Sequence, residues 1–99
     1  MKTDTVVIID DNQMAVHALV KTTDWEKLGC QVVGTASDGY EGLEIIREFR
    51  PDFVVTDIRM PGYSGLELIR LLTQQGYPGK FIIITGYEAV SYTHLTLPT

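Results

Sequence analysis

A parallel β-sheet with helices packed on it is the fold class this sequence predicts, on three observations. Apolar, β-branched runs alternate with segments of helical spacing in the order strand, helix, strand, helix, strand, helix, strand. That alternation builds right-handed βαβ units and hence a parallel sheet. The first run, Thr5-Val6-Val7-Ile8-Ile9, is continuously β-branched, as a central strand covered on both faces is, and Phe81-Ile82-Ile83-Ile84 is a fourth strand. Three of the strands also end in polar side chains, at Asp10-Asp11, Asp57 and Thr85, on the edge where open α/β sheets place ligands.

The elements follow in order. After Asp10-Asp11-Asn12, the residues Met14, Ala15, Ala18, Leu19 and Thr22 recur at helical spacing and predict a first helix ending near Thr23-Asp24. Gly29 precedes a short second strand, Gln31-Val32-Val33-Gly34-Thr35. Asp38-Gly39-Tyr40-Glu41 has capping-box spacing, with Asp38 accepting from the Glu41 amide and Glu41 reaching back. Gly42, Ile45, Ile46 and Phe49 form the apolar stripe of that second helix, and Pro51 stands just past its end. Phe53-Val54-Val55-Thr56 is the third strand, closed by Asp57 and the Pro61-Gly62 turn. Leu68, Ile69, Leu71 and Leu72 mark a third helix, stopped by Gly76 and Pro78 before the fourth strand.

Composition narrows the function classes. Ninety-nine residues make one domain, small for an α/β fold. A net charge of -5 argues against a nucleic-acid surface within this stretch. No apolar run approaches the ~20 residues that cross a bilayer, and 6–9 is too brief for a signal peptide. The single cysteine, Cys30, allows no internal disulfide and fits a reducing cytoplasm. Three other residues take plain readings. His17 has no second histidine nearby in the sequence and reads as solvent-facing, Trp25 as the cap of a core edge, and Glu67 with Arg70 as the wet face of the third helix.

If the first and third strands are neighbours, Asp10, Asp11 and Asp57 converge. Three carboxylates so close raise each other's proton affinity unless a cation lies among them. Oxygen-only ligands with open water positions suit Mg²⁺, which also binds phosphate. A hydroxyl at Thr85 can donate to an oxyanion held there. Carboxylate nucleophile, hard cation and hydroxyl donor together make a phosphoryl-acceptor site.

Val7-Ile8-Ile9-Asp10-Asp11, then Val54-Val55-Thr56-Asp57-Ile58-Arg59-Met60-Pro61-Gly62, then Ile83-Ile84-Thr85-Gly86 resemble the receiver domain of two-component response regulators. Trp25-Glu26-Lys27-Leu28-Gly29 and Val33-Gly34-Thr35-Ala36-Ser37-Asp38-Gly39 resemble the subgroup usually followed by an AraC-type helix-turn-helix region. The resemblance implies a flavodoxin-like doubly wound sheet of strand order 2-1-3-4-5. It implies that Asp57 is phosphorylated by a sensor histidine kinase and that Thr85 is the switch hydroxyl. Mg²⁺ would be held by Asp11 and Asp57, by Asp10 largely through water, and by the Arg59 backbone carbonyl. A cytoplasmic location, no membrane contact, dimerisation on phosphorylation and DNA binding through a further domain are also implied.

The sequence departs from that family after the fourth strand. The family continues with a helix, a fifth strand ending in a lysine, and a fifth helix, and all three are missing here. Residues 89–99 instead resemble translated sequencing-adapter DNA, so 1–88 is expected to be the receiver portion and 89–99 a non-native tail. Lys80 does not replace the lysine, because it begins the fourth strand at the wrong end of the sheet. Without a fifth strand and helix, residues 81–84 would form an apolar sheet edge, and one face of the first and third strands would be uncovered. Tyr92-Thr93-His94-Leu95-Thr96-Leu97 alternates loosely and is a candidate for the vacant strand position. Two other uses of the fold are weaker. A phosphohydrolase of the haloacid-dehalogenase type would want a carboxylate where Arg59 stands, and a flavin binder would want no acidic pair after the first strand. A receiver-like interaction module without phosphotransfer is the remaining alternative.

Overall fold

The computed structural model describes residues 3–85 and 88–92. In chain order the elements are β1 (Asp4–Ile9), α1 (Gln13–Thr22), β2 (Cys30–Ala36), α2 (Gly39–Phe49), β3 (Phe53–Asp57), α3 (Gly65–Gln74), β4 (Lys80–Thr85) and β5 (Glu88–Tyr92). The sheet order is β2-β1-β3-β4-β5. The first four strands of that row are parallel, with Val7 opposite Val54 and Val54 opposite Phe81. This is the flavodoxin-like arrangement expected.

Alternation along the strands makes two cores. Val7 and Ile9 point with Val54, Phe81 and Ile83 to one face, where Leu43 and Ile46 of α2 and Leu68, Ile69 and Leu72 of α3 close over them. Val6, Ile8 and Val55 point to the other face, where Val16 covers them with partly buried Leu19, Val20 and Trp25. Asp52 ties the strand beginnings together: its carboxylate accepts from the Thr5 N–H at 2.8 Å and its carbonyl from the Lys80 N–H at 2.9 Å.

The helices start on side-chain caps. Asn12 accepts from the Met14 and Ala15 amides. Asp38 accepts from Glu41 N–H, and the returning Glu41 carboxylate takes the Ser37 amide, one residue further back than a capping box requires. The complete box is at α3, between Ser64 and Glu67, so Glu67 is a capping residue as well as an exposed one. The stripe read for α1 is rotated by about one residue from the one that is buried. Met14 is 83% exposed, and Val16 is the residue that enters the core.

Two expectations for the far side of the sheet are corrected. The outer edge of β4 is not bare: Glu88–Tyr92 returns along it antiparallel, Thr85 opposite Glu88 and Phe81 opposite Tyr92. The fifth place in the row is thus filled by a hairpin return. Of the segment suggested for that place, Tyr92 pairs in the sheet, and 93–97 lie outside the described residues. Nor are β1 and β3 uncovered, since Val6, Ile8 and Val55 are at most 5% exposed beneath α1 and Trp25. An apolar hollow of about 200 Å³ lined by Val6, Trp25, Cys30, Phe53, Val55 and Ile82 lies on this face.

Tyr77 locks the lower end of the molecule. Its hydroxyl donates to the Pro51 carbonyl, the Arg50 guanidinium lies 5.7 Å from its ring centre, and Phe81 meets it edge-on at 5.8 Å. Burial pushes the phenol up from 10.0 to about 12, Arg50 opposing and Asp52 adding to the shift. A raised folded pKa means the fold holds the neutral phenol. Its contribution is therefore complete below pH 10 and is lost as pH rises from 10 towards 12. Tyr77→Phe should cost about 1 kcal/mol at pH 8 for the lost hydrogen bond, yet flatten the decline in stability above pH 10. Urea melts at pH 8 and pH 11 measure both; an unchanged alkaline decline would show that Tyr77 does not cause it.

Candidate functional site

The site is built where β1 and β3 end side by side. Ile9 is paired with Thr56, so the next residues on each strand, Asp10 and Asp57, emerge together at the carboxyl edge. Asp10, Asp11 and Asp57 each present a carboxylate oxygen, and these atoms lie within 4.8 Å of one another. Asp11 is exposed and the other two are partly buried. Two of the three carboxylates are aimed by local backbone hydrogen bonds. Asp10 accepts from the Asn12 amide at 2.9 Å, and Asp57 from the Ile58 amide at 2.7 Å.

The electrostatics are those of an incomplete charge cluster. The Asp10 carboxyl is raised from 3.8, first by burial and then by the charges of Asp57 and Asp11, against the lowering effect of the Asn12 N–H. A cluster of three oxygen donors in which Asp10 resists ionisation and Asp11 is open to water fits a hard divalent cation such as Mg²⁺. Asp10, Asp11 and Asp57 line the mouth of a groove of about 670 Å³ that runs between α1 and the sheet past Ala15, Leu19 and Ile84. None of the described residues lining it is lysine or arginine.

The other residues singled out in the sequence lie as follows. Arg59 is exposed in the loop after β3, two residues beyond Asp57. Thr85 is the last residue of β4, on the same edge of the sheet as Asp57. Lys80 opens β4 opposite Phe53, at the other end of the sheet. His17 is exposed on α1, and Cys30, whose thiol burial pushes up from 9.0, packs beside Trp25 as a small apolar residue. Sequence reasoning missed Thr56, which is fully buried and whose hydroxyl donates to the Asp57 carbonyl at 3.0 Å. It also missed two glycines at the starts of α2 and α3, treated below.

Parallel strands in the order 2-1-3-4, helices on both faces and an acidic cluster at the switch between β1 and β3 define a flavodoxin-like α/β domain with an acidic pocket at its topological switch point. The chain belongs to the response regulator receiver domain family, whose model it matches over residues 6–97. It is 32% identical over 87 residues to the transcriptional regulatory protein YesN of Bacillus subtilis, covering 88% of this chain and 24% of that protein. It is 40% identical over 84 residues to the transcription regulator BvgA of Bordetella pertussis, covering 82% of this chain and 38% of that one. Among solved structures, the receiver domain of AraT, a response regulator from Geobacillus stearothermophilus, superposes with a TM-score of 0.79 at 32% identity, covering 86% of this chain and 66% of that one. The chain thus spans about a quarter to two fifths of the length of these curated relatives. Family membership sets aside the phosphohydrolase and flavin-binding readings. No described helix is long and apolar enough to cross a membrane.

Proposed function

We propose that this chain is a phosphoacceptor module in which Asp57 takes a phosphoryl group from a sensor histidine kinase. The observation that carries the reading is the meeting of Asp10, Asp11 and Asp57 within 4.8 Å at the end of β3. An oxygen of the Asp57 carboxylate forms the new O–P bond as the donor's N–P bond breaks and its imidazole leaves. Asp11 and Asp57, with Asp10 supporting and the Arg59 backbone carbonyl completing the set, would hold Mg²⁺, which neutralises charge on the transferring group. Asn12 and Ile58 amides keep two of the three carboxylates in place through the reaction. Thr85 then serves as the switch hydroxyl, donating to the phosphoryl oxygen and biasing a two-state element.

Every residue in this scheme falls within 1–88, to which we assign the receiver function. Output rests with a further domain. The names of YesN and BvgA point to transcription, and DNA would be met there rather than on this acidic chain. A phosphorylation-dependent dimer and a cytoplasmic location belong to the same reading.

The test is chemical. Incubated with acetyl phosphate and Mg²⁺, the protein should gain one phosphoryl group that hydroxylamine removes and that borohydride reduction maps to Asp57. Chelating the metal should suppress the label, and Thr85→Ala should retain it. A label at another residue, or none under conditions where a longer relative is modified, would overturn the assignment. The latter result favours the interaction-module reading.

A further inference from the structure

Two glycines on different helices grip the loop that carries the site. Gly65, the first residue of α3, is buried against Asp57; a Cβ there would stand 2.3 Å from the Asp57 carbonyl oxygen and 3.2 Å from Thr56 Cγ2. Its N–H donates to the Ile58 carbonyl at 2.8 Å. Gly39, the first residue of α2, is buried against the other end of the loop. A Cβ there would stand 2.0 Å from the Tyr63 carbonyl oxygen and 2.5 Å from its nitrogen, and the Gly39 N–H donates to the Pro61 carbonyl at 2.9 Å. These partners are backbone atoms, so neither clash can be relieved by turning a side chain aside. The Thr56 hydroxyl holds the Asp57 carbonyl from a third direction.

We infer that Gly39, Gly65 and Thr56 are positioning residues, fixing the backbone of 57–63 so that the Asp57 carboxylate and the Arg59 carbonyl point at one spot. The inference rests on the metal-binding reading above. Both helix starts sit flush on the loop because these glycines carry no side chain. A methyl at either must push the loop outward by more than an ångström to reach ordinary contact, and small displacements of the supports of a metal ligand typically lower affinity by about 10–100-fold.

The experiment is a Mg²⁺ titration followed by amide shifts on the full chain. Gly39→Ala and Gly65→Ala should each weaken binding about tenfold or more and move the amide resonances of 58–63 before any metal is added. Thr56→Val introduces no clash and should weaken binding less, with the Ile58 amide shifted. Gly76→Ala is the control. Gly76 has φ +78° with open space around it, at the far end of α3, so alanine there strains the fold without touching the loop. It should lower stability and leave Mg²⁺ affinity unchanged. Wild-type affinity and an unmoved Ile58 amide in folded Gly39→Ala or Thr56→Val would overturn the inference, as would equal weakening by Gly76→Ala. A wild-type chain that binds no Mg²⁺ removes the metal reading instead, and the metal-free shifts of the same variants still decide whether the loop is gripped.

Discussion

Asp57→Asn should lose acyl-phosphate formation altogether while making the metal-free protein more stable. The amide is nearly the same shape, and its oxygen can still accept the Ile58 N–H that holds Asp57 at 2.7 Å. It has no anionic oxygen to attack phosphorus, so the chemistry stops without a change of fold. Removing one of three converging charges also relieves its neighbours. Asp10 is raised by burial first and by Asp57 next, so its carboxyl should fall back towards the ordinary range when Asp57 is neutral. The variant should therefore melt a few degrees higher than wild type in the absence of metal, gain less from added Mg²⁺, and take no label. Labelling at the wild-type level removes Asp57 from the mechanism. A lower metal-free melting temperature would show that the three carboxylates do not repel one another appreciably.

Phe81→Ala should come close to unfolding the protein. Phe81 is 1% exposed in β4, paired with Val54 on one side and with the β5 backbone at Tyr92 on the other. It also meets Tyr77 edge-on. Truncating a buried phenylalanine costs about 3–5 kcal/mol, and a domain of this size holds about 5–15 kcal/mol in all. The cavity would open between the sheet and the Tyr77 lock at once, leaving little room for collapse. Urea denaturation should show the midpoint falling by half or more. A loss under about 1 kcal/mol would mean that the Tyr77 side of the core is loosely packed.

The parts of the fold that could be read from sequence are those with a strong, one-sided pattern. α3 places Leu68, Ile69 and Leu72 inward as its spacing predicts, and the continuous run of β1 is buried on both faces. α1 failed because its segment is rich in small residues: Ala15, Ala18 and Leu19 offer one stripe and Val16, Leu19 and Val20 another, and only the partners decide. The second stripe reaches the core, while Ala15, Ala18 and Leu19 line the groove below Asp11. β5 could not be read because nothing in Glu88-Ala89-Val90-Ser91-Tyr92 specifies an antiparallel return; the open edge of β4 selects it. The Ser64-to-Glu67 box was in plain view as Ser64-Gly65-Leu66-Glu67.

In the site, Asp10, Asp11 and Asp57 were legible because a strand's end fixes where its next residue goes. Gly39 and Gly65 were not. A glycine's role depends on the atom that approaches it, and those atoms lie 24 and eight residues away in the chain. The Asp52–Thr5 bond, 47 residues apart, was hidden for the same reason.

The single buried side chain of α1 sets it apart from α2 and α3, which each bury four residues. Local opening is easiest where the least apolar surface must be exposed, so α1 is the element that can detach while the sheet and its other layer stay folded. Asp10 and Asp11 lead straight into its cap at Asn12, and the Asn12 amide helps to hold Asp10 in place. Whatever fills the acidic pocket therefore draws part of its binding energy from a folded α1 and stabilises that helix in return. Occupancy of the pocket and fraying of α1 are two readings of one linked equilibrium, and warming should weaken the site before it melts the domain.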